Sequence, residues 1–373
     1  MTARTKLESS RRVVIKIGTV LLVDQEKGTI HRAWLEALAE EVSRLRGRGQ
    51  EVIIVTSGAI AVGRRHLNLP AGALRLDENQ AAAATGMVRL AHAYQEVLGR
   101  HNITVAQVLL TLDDSENRRR YINARNTLNA LLGLGAVPLI NENDTIATDE
   151  IRFGDNDRLA ARVAVMVSAD TLVLLSDIDG LYTADPDRDP EAKPIPEVTA
   201  VTPEIEAMAG RVQAGESRGG MITKLAAAKV CLANGCRMVI ADGKAPYPLK
   251  RLEDGARATW FLPSATPKAA RKRWIAGALK PAGAVVLDAG AEKALRSGKS
   301  LLPAGVVGVE GTFQRGDAVI VKTADGRVLG RGLSAYSAAD AQRIKGYKTS
   351  EIEALLGYRG RDELIHRDDL VLD

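Results

Sequence analysis

Cysteine, histidine and aromatic residues are all scarce in this chain, and each shortage excludes a class of protein. The two cysteines among 373 residues, Cys231 and Cys236, cannot build a disulfide framework, and their spacing matches no metal-binding signature. The five histidines show no zinc-ligand spacing either. We therefore expect a protein of a reducing compartment, with both thiols buried as small apolar groups. The interior should be aliphatic, because 46% of the residues are hydrophobic and 3% are aromatic.

Long apolar runs are missing as well. No uncharged stretch is long enough to span a bilayer, and the first residues lack the apolar core of a signal peptide. We expect a cytoplasmic protein that has no membrane partner.

The net charge of +5 comes mostly from one short segment. Residues 1–267 carry 33 basic and 33 acidic groups, and residues 280–373 carry 14 basic and 13 acidic groups. The excess lies in Lys268, Arg271, Lys272 and Arg273. Neither part of the chain has the broad cationic surface that binding to a phosphate backbone requires, so we do not expect nucleic acid as a partner.

Strand-like and helix-like segments alternate from about residue 12 to residue 243. The strand-like runs are short, rich in β-branched residues and continuously apolar, which is typical of strands covered on both faces. They lie at residues 13–17, 52–55, 104–109, 137–140, 172–175 and 238–241. Between them lie amphipathic segments such as 33–46, 80–98 and 224–233. This alternation predicts an α/β fold, a three-layer, mainly parallel sheet with helices on both faces.

The pattern changes after Pro267. Brief strands at 285–287, 306–309, 318–321 and 328–329 are separated by glycines, and Asp325-Gly326 is a favourable hairpin turn. A helical segment is expected near residues 350–356. We predict a first domain over residues 1–265, a basic linker over 266–279 and a small, mostly β, barrel-like domain over 280–373.

Six short polar loops carry two lysines and a cluster of carboxylates, and most of them begin where a predicted strand ends. The carboxyl ends of the strands in an open α/β sheet face the ligand crevice, so residues far apart in the chain converge there. The loops are residues 16–19, 56–58, 141–144, 154–157, 176–180 and 219–224. This arrangement predicts an enzyme that acts on anions.

Lys16 and Lys224 are the candidate anion-binding groups. Lys16 ends a buried strand, where its desolvation is costly unless an anion compensates its charge. The structural alternative is a lysine whose stem covers apolar surface at the end of the strand. Lys224 follows Gly219-Gly220 and opens a helix, so its ammonium group and the free N–H groups of the first turn would point at a phosphate. This segment is not a Walker A loop, which has a further glycine and a Ser or Thr after its Lys.

Two acidic loops accompany the lysines. Asp155 and Asp157 flank Asn156 in a loop before a predicted helix, where the pair could bind a divalent cation, orient the lysines or cap the helix. Residues 141–144, which end in Asp144, offer acceptors to an ammonium group or form a simple turn.

Ser57-Gly58 lies at a predicted strand-to-helix turn. Its hydroxyl and backbone N–H groups could donate hydrogen bonds to a carboxylate. The segment lacks the Gly-x-Ser-x-Gly elbow, and no histidine is near in sequence, so we do not expect a serine nucleophile.

Six motifs in this order resemble those of the bacterial glutamate 5-kinases, a family of amino-acid kinases. They are Val14-Ile15-Lys16-Ile17-Gly18-Thr19, Val55-Thr56-Ser57-Gly58-Ala59-Ile60, Ile140-Asn141-Glu142-Asn143-Asp144, Gly154-Asp155-Asn156-Asp157, Gly180-Leu181-Tyr182-Thr183-Ala184-Asp185-Pro186 and Gly219-Gly220-Met221-Ile222-Thr223-Lys224. The end of the chain, with Ser300-Leu301-Leu302-Pro303 and His366-Arg367-Asp368-Asp369, is similar to the PUA domain that follows many such kinases.

The resemblance implies an amino-acid-kinase fold and the ATP-dependent phosphorylation of the side-chain carboxylate of L-glutamate to γ-glutamyl phosphate, the first step towards proline. It also implies Mg²⁺ as a cofactor, feedback inhibition by proline and self-association. Because γ-glutamyl phosphate is reactive, its direct transfer to glutamate-5-semialdehyde dehydrogenase is a further expectation.

The resemblance also implies roles for individual residues. Lys16 and Lys224 would bridge the transferring phosphoryl group, and Asp155 and Asp157 would organise the lysines and magnesium. No residue is predicted as a dedicated metal ligand. The glutamate-binding residues would be Ser57, Gly58, Asp144 and Asn156. The ATP-binding residues would be Lys16, Gly18, Thr19, Ser176, Asp177, Gly219, Gly220, Met221, Ile222, Thr223 and Lys224.

Two other functions remain open from the sequence. A kinase of the same fold could act on another amino acid, on carbamate or on a nucleoside monophosphate, although Asp144 favours a substrate with an ammonium group. Alternatively, the PUA-like domain could bind RNA as a regulator. Its nearly balanced charge, its four Tyr or Phe residues and its lack of tryptophan argue against that function.

Overall fold

The structure is a computed structural model that describes residues 2–24, 26–70, 72–146, 156–209, 220–277 and 280–372. The chain divides between Pro267 and Lys268 into two compact units. Within the described ranges, no helix has the length and apolar character needed to cross a membrane.

The first unit alternates strands and helices. Its strands are β1 Arg12–Ile17, β2 Glu51–Val55, β3 Val105–Leu110, β4 Val137–Glu142, β5 Thr171–Ser176, β6 Leu181–Tyr182, β7 Pro194–Ile195, β8 Glu197–Val198, β9 Arg237–Asp242 and β10 Ala258–Phe261. Its helices are α1 Ala3–Glu8, α2 Thr19–Leu22, α3 Arg32–Gly47, α4 Ala59–His66, α5 Leu76–Gly99, α6 Leu112–Glu116, α7 Arg118–Gly133, α8 Asn156–Met166, α9 Pro203–Ala207, α10 Met221–Ala233 and α11 Pro248–Glu253.

Eight of these strands form one sheet in the order β3-β4-β2-β1-β5-β9-β10-β8. Every neighbouring pair is parallel except β9 with β10, which is antiparallel. Strands β6 and β7 form a separate antiparallel hairpin. The predicted mainly parallel sheet is therefore confirmed, and all six predicted strands lie in it, as β1 to β5 and β9.

Alternate residues of the central strand β1 face two different hydrophobic cores. Val13, Ile15 and Ile17 pack in the core that contains helices α3, α5 and α11. Val14 packs in the core that contains α7, α8 and α10. Successive side chains of a strand point to opposite faces, so a strand covered on both sides is apolar throughout. The two cores make the first unit a three-layer α/β structure, as predicted.

The second unit is built on one five-stranded sheet in the order β12-β11-β13-β14-β15. Its strands are β11 Gly283–Leu287, β12 Val306–Gly311, β13 Ala318–Thr323, β14 Val328–Leu333 and β15 Leu370–Leu372. Its helices are α12 Pro267–Gly277, α13 Ala289–Arg296, α14 Ala338–Ile344 and α15 Ile352–Leu356. The predicted mostly β domain is therefore confirmed.

The hairpin turn predicted for this unit is confirmed, but the segment predicted as a basic linker over 266–279 is mostly helical. Gly326, in the predicted turn between β13 and β14, has a φ of 88°, which favours glycine. The segment predicted as a basic linker largely forms α12, where Arg271 pairs with Asp369 at 2.6 Å and Ile275 packs with Ala318 and Leu333.

Candidate active site

The side chain of Lys16 contacts residues on one particular face of the sheet. Lys16 is two residues beyond Val14 on β1, so the two side chains point to the same face, the one covered by α8 and α10. Both helices begin at the edge where the parallel strands end. Asp157 lies in the first turn of α8, and Lys224 lies in the first turn of α10. Three charged residues from distant parts of the sequence therefore meet at this edge.

One carboxylate joins the two lysines. The ammonium nitrogen of Lys16 lies 2.6 Å from Oδ1 of Asp157, and that of Lys224 lies 3.3 Å from Oδ2. The Lys16 contact has the geometry of an ion pair rather than of an aligned hydrogen bond. The three side chains are almost fully buried. Two cations thus share one anion, which leaves the cluster with a net positive charge.

Neighbouring positive charges lower the pKa of Asp157 more than its burial raises it. Burial by itself would raise the pKa of this carboxyl, but the charges of Lys16 and Lys224 and the hydrogen bond from Thr223 hold the pKa below its usual value. Asp157 therefore stays ionised at neutral pH. The partial positive charge at the start of α10 adds to the charge of Lys224, so an incoming anion is favoured at this point.

Asn156 is held by three acceptors beside this cluster. Its Nδ2 donates to the carbonyl oxygen of Thr56 at 2.9 Å, to Oγ of Ser57 at 2.9 Å and to Oδ1 of Asn141 at 3.1 Å. These contacts determine the orientation of the amide, because Oδ1 cannot take the place of Nδ2 among acceptors. Oδ1 of Asn156 is buried and has no hydrogen-bond partner among the described residues.

Asp144 follows β4 in a short 3₁₀ turn, Asp144–Ile146. Its side chain is buried, and burial raises the pKa of its carboxyl to about 6. An ionised carboxylate at this position is costly unless a cation binds beside it. Asp144 is therefore suited to receive an ammonium group.

The backbone beside the lysines leaves room for a ligand. Gly18 and Gly220 precede α2 and α10, and no side chain caps either helix. Both glycines have φ angles that any residue adopts. At Gly220 a Cβ would meet nothing within 4 Å among the described residues, and at Gly18 it would lie 3.4 Å from the carbonyl oxygen of Leu175. The protein itself does not require glycine at either position, so the free space fits a bound group such as a phosphate.

Gly58 differs from these two glycines. Its φ is 96°, and a Cβ would lie 2.8 Å from Cγ2 of Val23. The tight turn that starts α4 after Ser57 requires glycine for a structural reason.

Ser176 and Asp177 lie at the end of β5, next to the end of β1. Oγ of Ser176 donates to Oδ1 of Asp177 at 3.0 Å, and the backbone N–H of Gly18 donates to the carbonyl oxygen of Leu175 at 3.1 Å. The strand pairing therefore places these two predicted nucleotide-binding residues at the same edge as Gly18 and Thr19.

Several neighbours of the site have roles that the sequence pattern did not indicate. Asn141 orients Asn156 through its Oδ1 and donates from Nδ2 to the sulfur of Met87. The hydroxyl of Thr56 lies 3.1 Å from that of the buried Tyr94. No periodic pattern reveals these contacts, because they join separate elements. Of the predicted site residues, Asp155 and Gly219 lie outside the described part of the chain.

Comparison with known proteins agrees with this architecture. Residues 11–242 match the amino acid kinase family, and residues 283–356 match the PUA domain. The fold and the site thus define a kinase domain followed by a PUA domain. The chain is 64% identical to the glutamate 5-kinase of Paramagnetospirillum magneticum over 98% of its own length and 99% of the relative. It is 62% identical to the glutamate 5-kinase of Rhodospirillum rubrum over 96% of each chain.

The chain therefore belongs to the amino acid kinase family, and within it to the glutamate 5-kinases. Among solved structures, UMP kinase from Bacillus anthracis is 16% identical to this chain, with a TM-score of 0.47. That similarity covers 69% of this chain and 98% of the other.

Proposed function

We propose that this protein transfers the γ-phosphoryl group of ATP to the side-chain carboxylate of L-glutamate, producing γ-glutamyl phosphate and ADP. One observation carries the proposal, the pairing of Lys16 and Lys224 with the two oxygens of Asp157 at the end of the sheet. The full-length similarity to glutamate 5-kinases supports the choice of substrate.

The reaction is difficult mainly because it brings two anions together. The positive charges at the site reduce the repulsion between them. A glutamate oxygen attacks the γ-phosphorus while the bond to the bridging oxygen of ADP breaks, and negative charge accumulates around the phosphoryl group. Lys16 and Lys224 supply positive charge on this path, and Asp157 holds their ammonium groups in position. The attacking carboxylate is already ionised near neutral pH, so the reaction needs no general base.

The nucleotide phosphates would lie against the backbone at Gly18 and Gly220. The absence of a Cβ at both positions and the uncapped first turns of α2 and α10 support this placement. Thr19, Met221 and Ile222 belong to those turns and would contribute backbone N–H groups. Ser176 and Asp177 would contact the nucleoside part of ATP. Gly219, in the predicted loop 219–224, would be a further contact of the nucleotide.

Magnesium would enter this site with ATP. The described residues include no group of three or more His, Cys, Asp or Glu side chains that could hold a metal ion. Both oxygens of Asp157 face ammonium groups. We therefore assign Mg²⁺ to the phosphates of the nucleotide, where it would neutralise their charge, and no step depends on an ion held by the protein. Asp155 keeps its proposed role of assisting the lysines.

Glutamate would bind between β2, β4 and α8. Its ammonium group is expected near the buried carboxylate of Asp144 and Oδ1 of Asn156, because burial raises the pKa of Asp144 and Oδ1 has no hydrogen-bond partner among the described residues. Ser57 and Gly58 would donate to the α-carboxylate from the start of α4. This placement leaves the side-chain carboxylate of glutamate directed towards the lysines.

A trapping assay with hydroxylamine tests the proposal, because it converts an acyl phosphate into a stable hydroxamate. We expect ATP-dependent hydroxamate formation with L-glutamate and little with L-aspartate, N-acetyl-L-glutamate or carbamate. With UMP, whose phosphorylated product hydroxylamine does not trap, we expect little release of ADP. Release of ADP in equal amount provides a second measurement. Trapping with L-aspartate alone would contradict the proposed substrate, and the absence of product with every acceptor would contradict the kinase assignment.

We also propose a broader biological role for this enzyme. We expect the enzyme to act in the cytoplasm at the first step of proline synthesis and to be inhibited by proline, which carries the same ammonium and α-carboxylate groups as glutamate. Self-association and transfer of the reactive product to glutamate-5-semialdehyde dehydrogenase are further proposals. For the PUA domain we propose a structural or regulatory role rather than RNA binding, because its charge is nearly balanced.

A further inference from the structure

Both hydrogen-bond donors of Thr223 have acceptors inside the protein. Its hydroxyl lies 2.9 Å from Oδ2 of Asp157 and 2.9 Å from the carbonyl oxygen of Gly220. Its backbone N–H donates to the same carbonyl oxygen at 3.1 Å. A threonine has no other donor. A phosphate oxygen needs donors, so Thr223 in this arrangement has none to give to the nucleotide.

The single hydroxyl hydrogen goes preferentially to Asp157. A carboxylate is a stronger acceptor than a peptide carbonyl, and hydrogen bonds to a charged group are roughly twice as strong as those between neutral groups. The carbonyl of Gly220 is also satisfied by the N–H of Thr223. Because Asp157 is almost fully buried, water cannot easily replace a donor that is lost.

Thr223 and Lys224 approach the same oxygen of Asp157, Oδ2. Consecutive helical residues do not normally face a common partner, because their side chains point about 100° apart around the helix. Here the short hydroxyl and the long ammonium side chain reach Oδ2 from either side at the start of α10. Asp157 is thereby connected to α10 at two points and to β1 through Lys16.

We propose that Thr223 is a positioning residue, whose hydroxyl holds the Asp157 carboxylate at the point where it aligns Lys16 with Lys224 for phosphoryl transfer. This inference rests on the proposed function. It differs from the assignment of Thr223 as a nucleotide ligand, because the hydroxyl acts through Asp157 and not on ATP. Its loss should therefore slow the chemical step and leave nucleotide affinity nearly unchanged.

The substitution Thr223→Val tests this inference, because it removes the hydroxyl and keeps the branched shape. We expect kcat to fall at least about tenfold, with KM for ATP and for glutamate within about threefold of the unmodified protein. Thr223→Ser retains the donor and should recover most of kcat. Thr349→Val serves as a matched control, because it removes a hydroxyl that donates to a backbone carbonyl in the second unit, and should leave both constants unchanged.

The outcomes distinguish a failure of the proposed role of Thr223 from a failure of the proposed function. A rise in KM for ATP with an unchanged kcat in Thr223→Val would show that the hydroxyl binds nucleotide and would overturn the inference. An equally low kcat in Thr223→Ser and Thr223→Val would overturn it as well, because the donor would then be irrelevant. If the unmodified protein forms no γ-glutamyl hydroxamate, the proposed function itself fails. Thermal unfolding of each variant checks that the fold is retained.

Discussion

Lys16 and Lys224 hold opposite oxygens of one carboxylate, although they belong to the first strand and the tenth helix of the chain. The shared partner, Asp157, keeps two like charges close together. A cluster of two cations and one anion retains one positive charge in a buried position, where an approaching phosphoryl group interacts with it strongly.

Removal of either lysine should abolish most of the activity. We expect Lys16→Ala and Lys224→Ala to lose roughly 10²-fold or more in turnover, because each ammonium group stabilises charge in the transition state. Lys229→Ala is the matched control, because Lys229 lies on α10 with Lys224. Its exposed ammonium group pairs with Glu206, so turnover should not change. Steady-state hydroxamate assays measure the effect, and near-normal turnover in a lysine variant would remove that lysine from the catalytic residues.

Substitution of Asp157 should affect stability as well as activity. Asp157→Asn removes the carboxylate that both buried ammonium groups contact, and breaking a buried ion pair typically costs about 3–5 kcal/mol of unfolding free energy. The double variant Asp157→Asn with Lys16→Met also removes one of the two buried ammonium groups. It should recover part of the lost unfolding free energy while remaining inactive. Urea unfolding measures the free energies. A double variant no more stable than Asp157→Asn alone would show that the charges do not interact as described.

The affinity for glutamate should depend on the ionisation of Asp144. Because burial raises the pKa of this carboxyl to about 6, it is charged at pH 8 and mostly protonated near pH 5. We expect KM for glutamate to rise as the pH falls through about 6, while KM for ATP stays nearly constant. In Asp144→Asn, KM for glutamate should be high at every pH between about 5 and 8. A variant that retained the pH dependence of the unmodified protein would refute the assignment of Asp144.

Glu41 should make the protein less stable as the pH rises towards 7. Burial raises the pKa of this carboxyl to about 7, although backbone N–H groups of Lys250 and Leu249 and the charge of Arg44 oppose the shift. The folded protein therefore binds more protons than the unfolded chain between about pH 4.5 and 7, and its unfolding free energy falls with pH across that window. Above pH 7 both states are ionised and the effect ends.

The variant Glu41→Gln tests this effect because it removes the titration. Across the same window, its unfolding free energy should fall less than that of the unmodified protein. Glu40→Gln replaces an exposed neighbour on the same helix and should follow the unmodified protein. Urea unfolding at several pH values supplies the comparison, and parallel curves for Glu41→Gln and the unmodified protein would contradict the prediction.

The close crossing of α4 and α5 should tolerate no side chain at Gly86. A Cβ at this position would lie 1.8 Å from the carbonyl oxygen of Ala59, the first residue of α4. We expect Gly86→Ala to lower the unfolding free energy by about 1–3 kcal/mol. It should also raise KM for glutamate, because α4 starts directly after Ser57 and Gly58. Gly99→Ala, in the same helix but with nothing within 4 Å, should change neither quantity appreciably.

The main sheet could be predicted from the sequence because most of its long strands are apolar runs. Strands β1, β2, β4, β5 and β9 have that pattern since both faces of the sheet are covered by helices there, whereas β3, at the edge of the sheet, is partly exposed and contains Gln107. Strands β6, β7 and β8 have two residues each, and β10 has four, which is too short for a periodic signal. The antiparallel pairing of β9 with β10 depends on contacts between distant segments, and no local pattern encodes it.

The sequence by itself determined which chemical groups are available, namely two lysines, a set of loop carboxylates and glycines beside helix starts, at the ends of strands that must lie side by side. Only the tertiary structure decided how they pair. Asp157 contacts both lysines, the amide of Asn156 is oriented by Thr56, Ser57 and Asn141, and the hydroxyl of Thr223 faces Asp157. The physical reason is that hydrogen bonds and ion pairs form only when polar atoms of separate elements come within about 3 Å of each other. The packing of α8 and α10 on the sheet sets these distances.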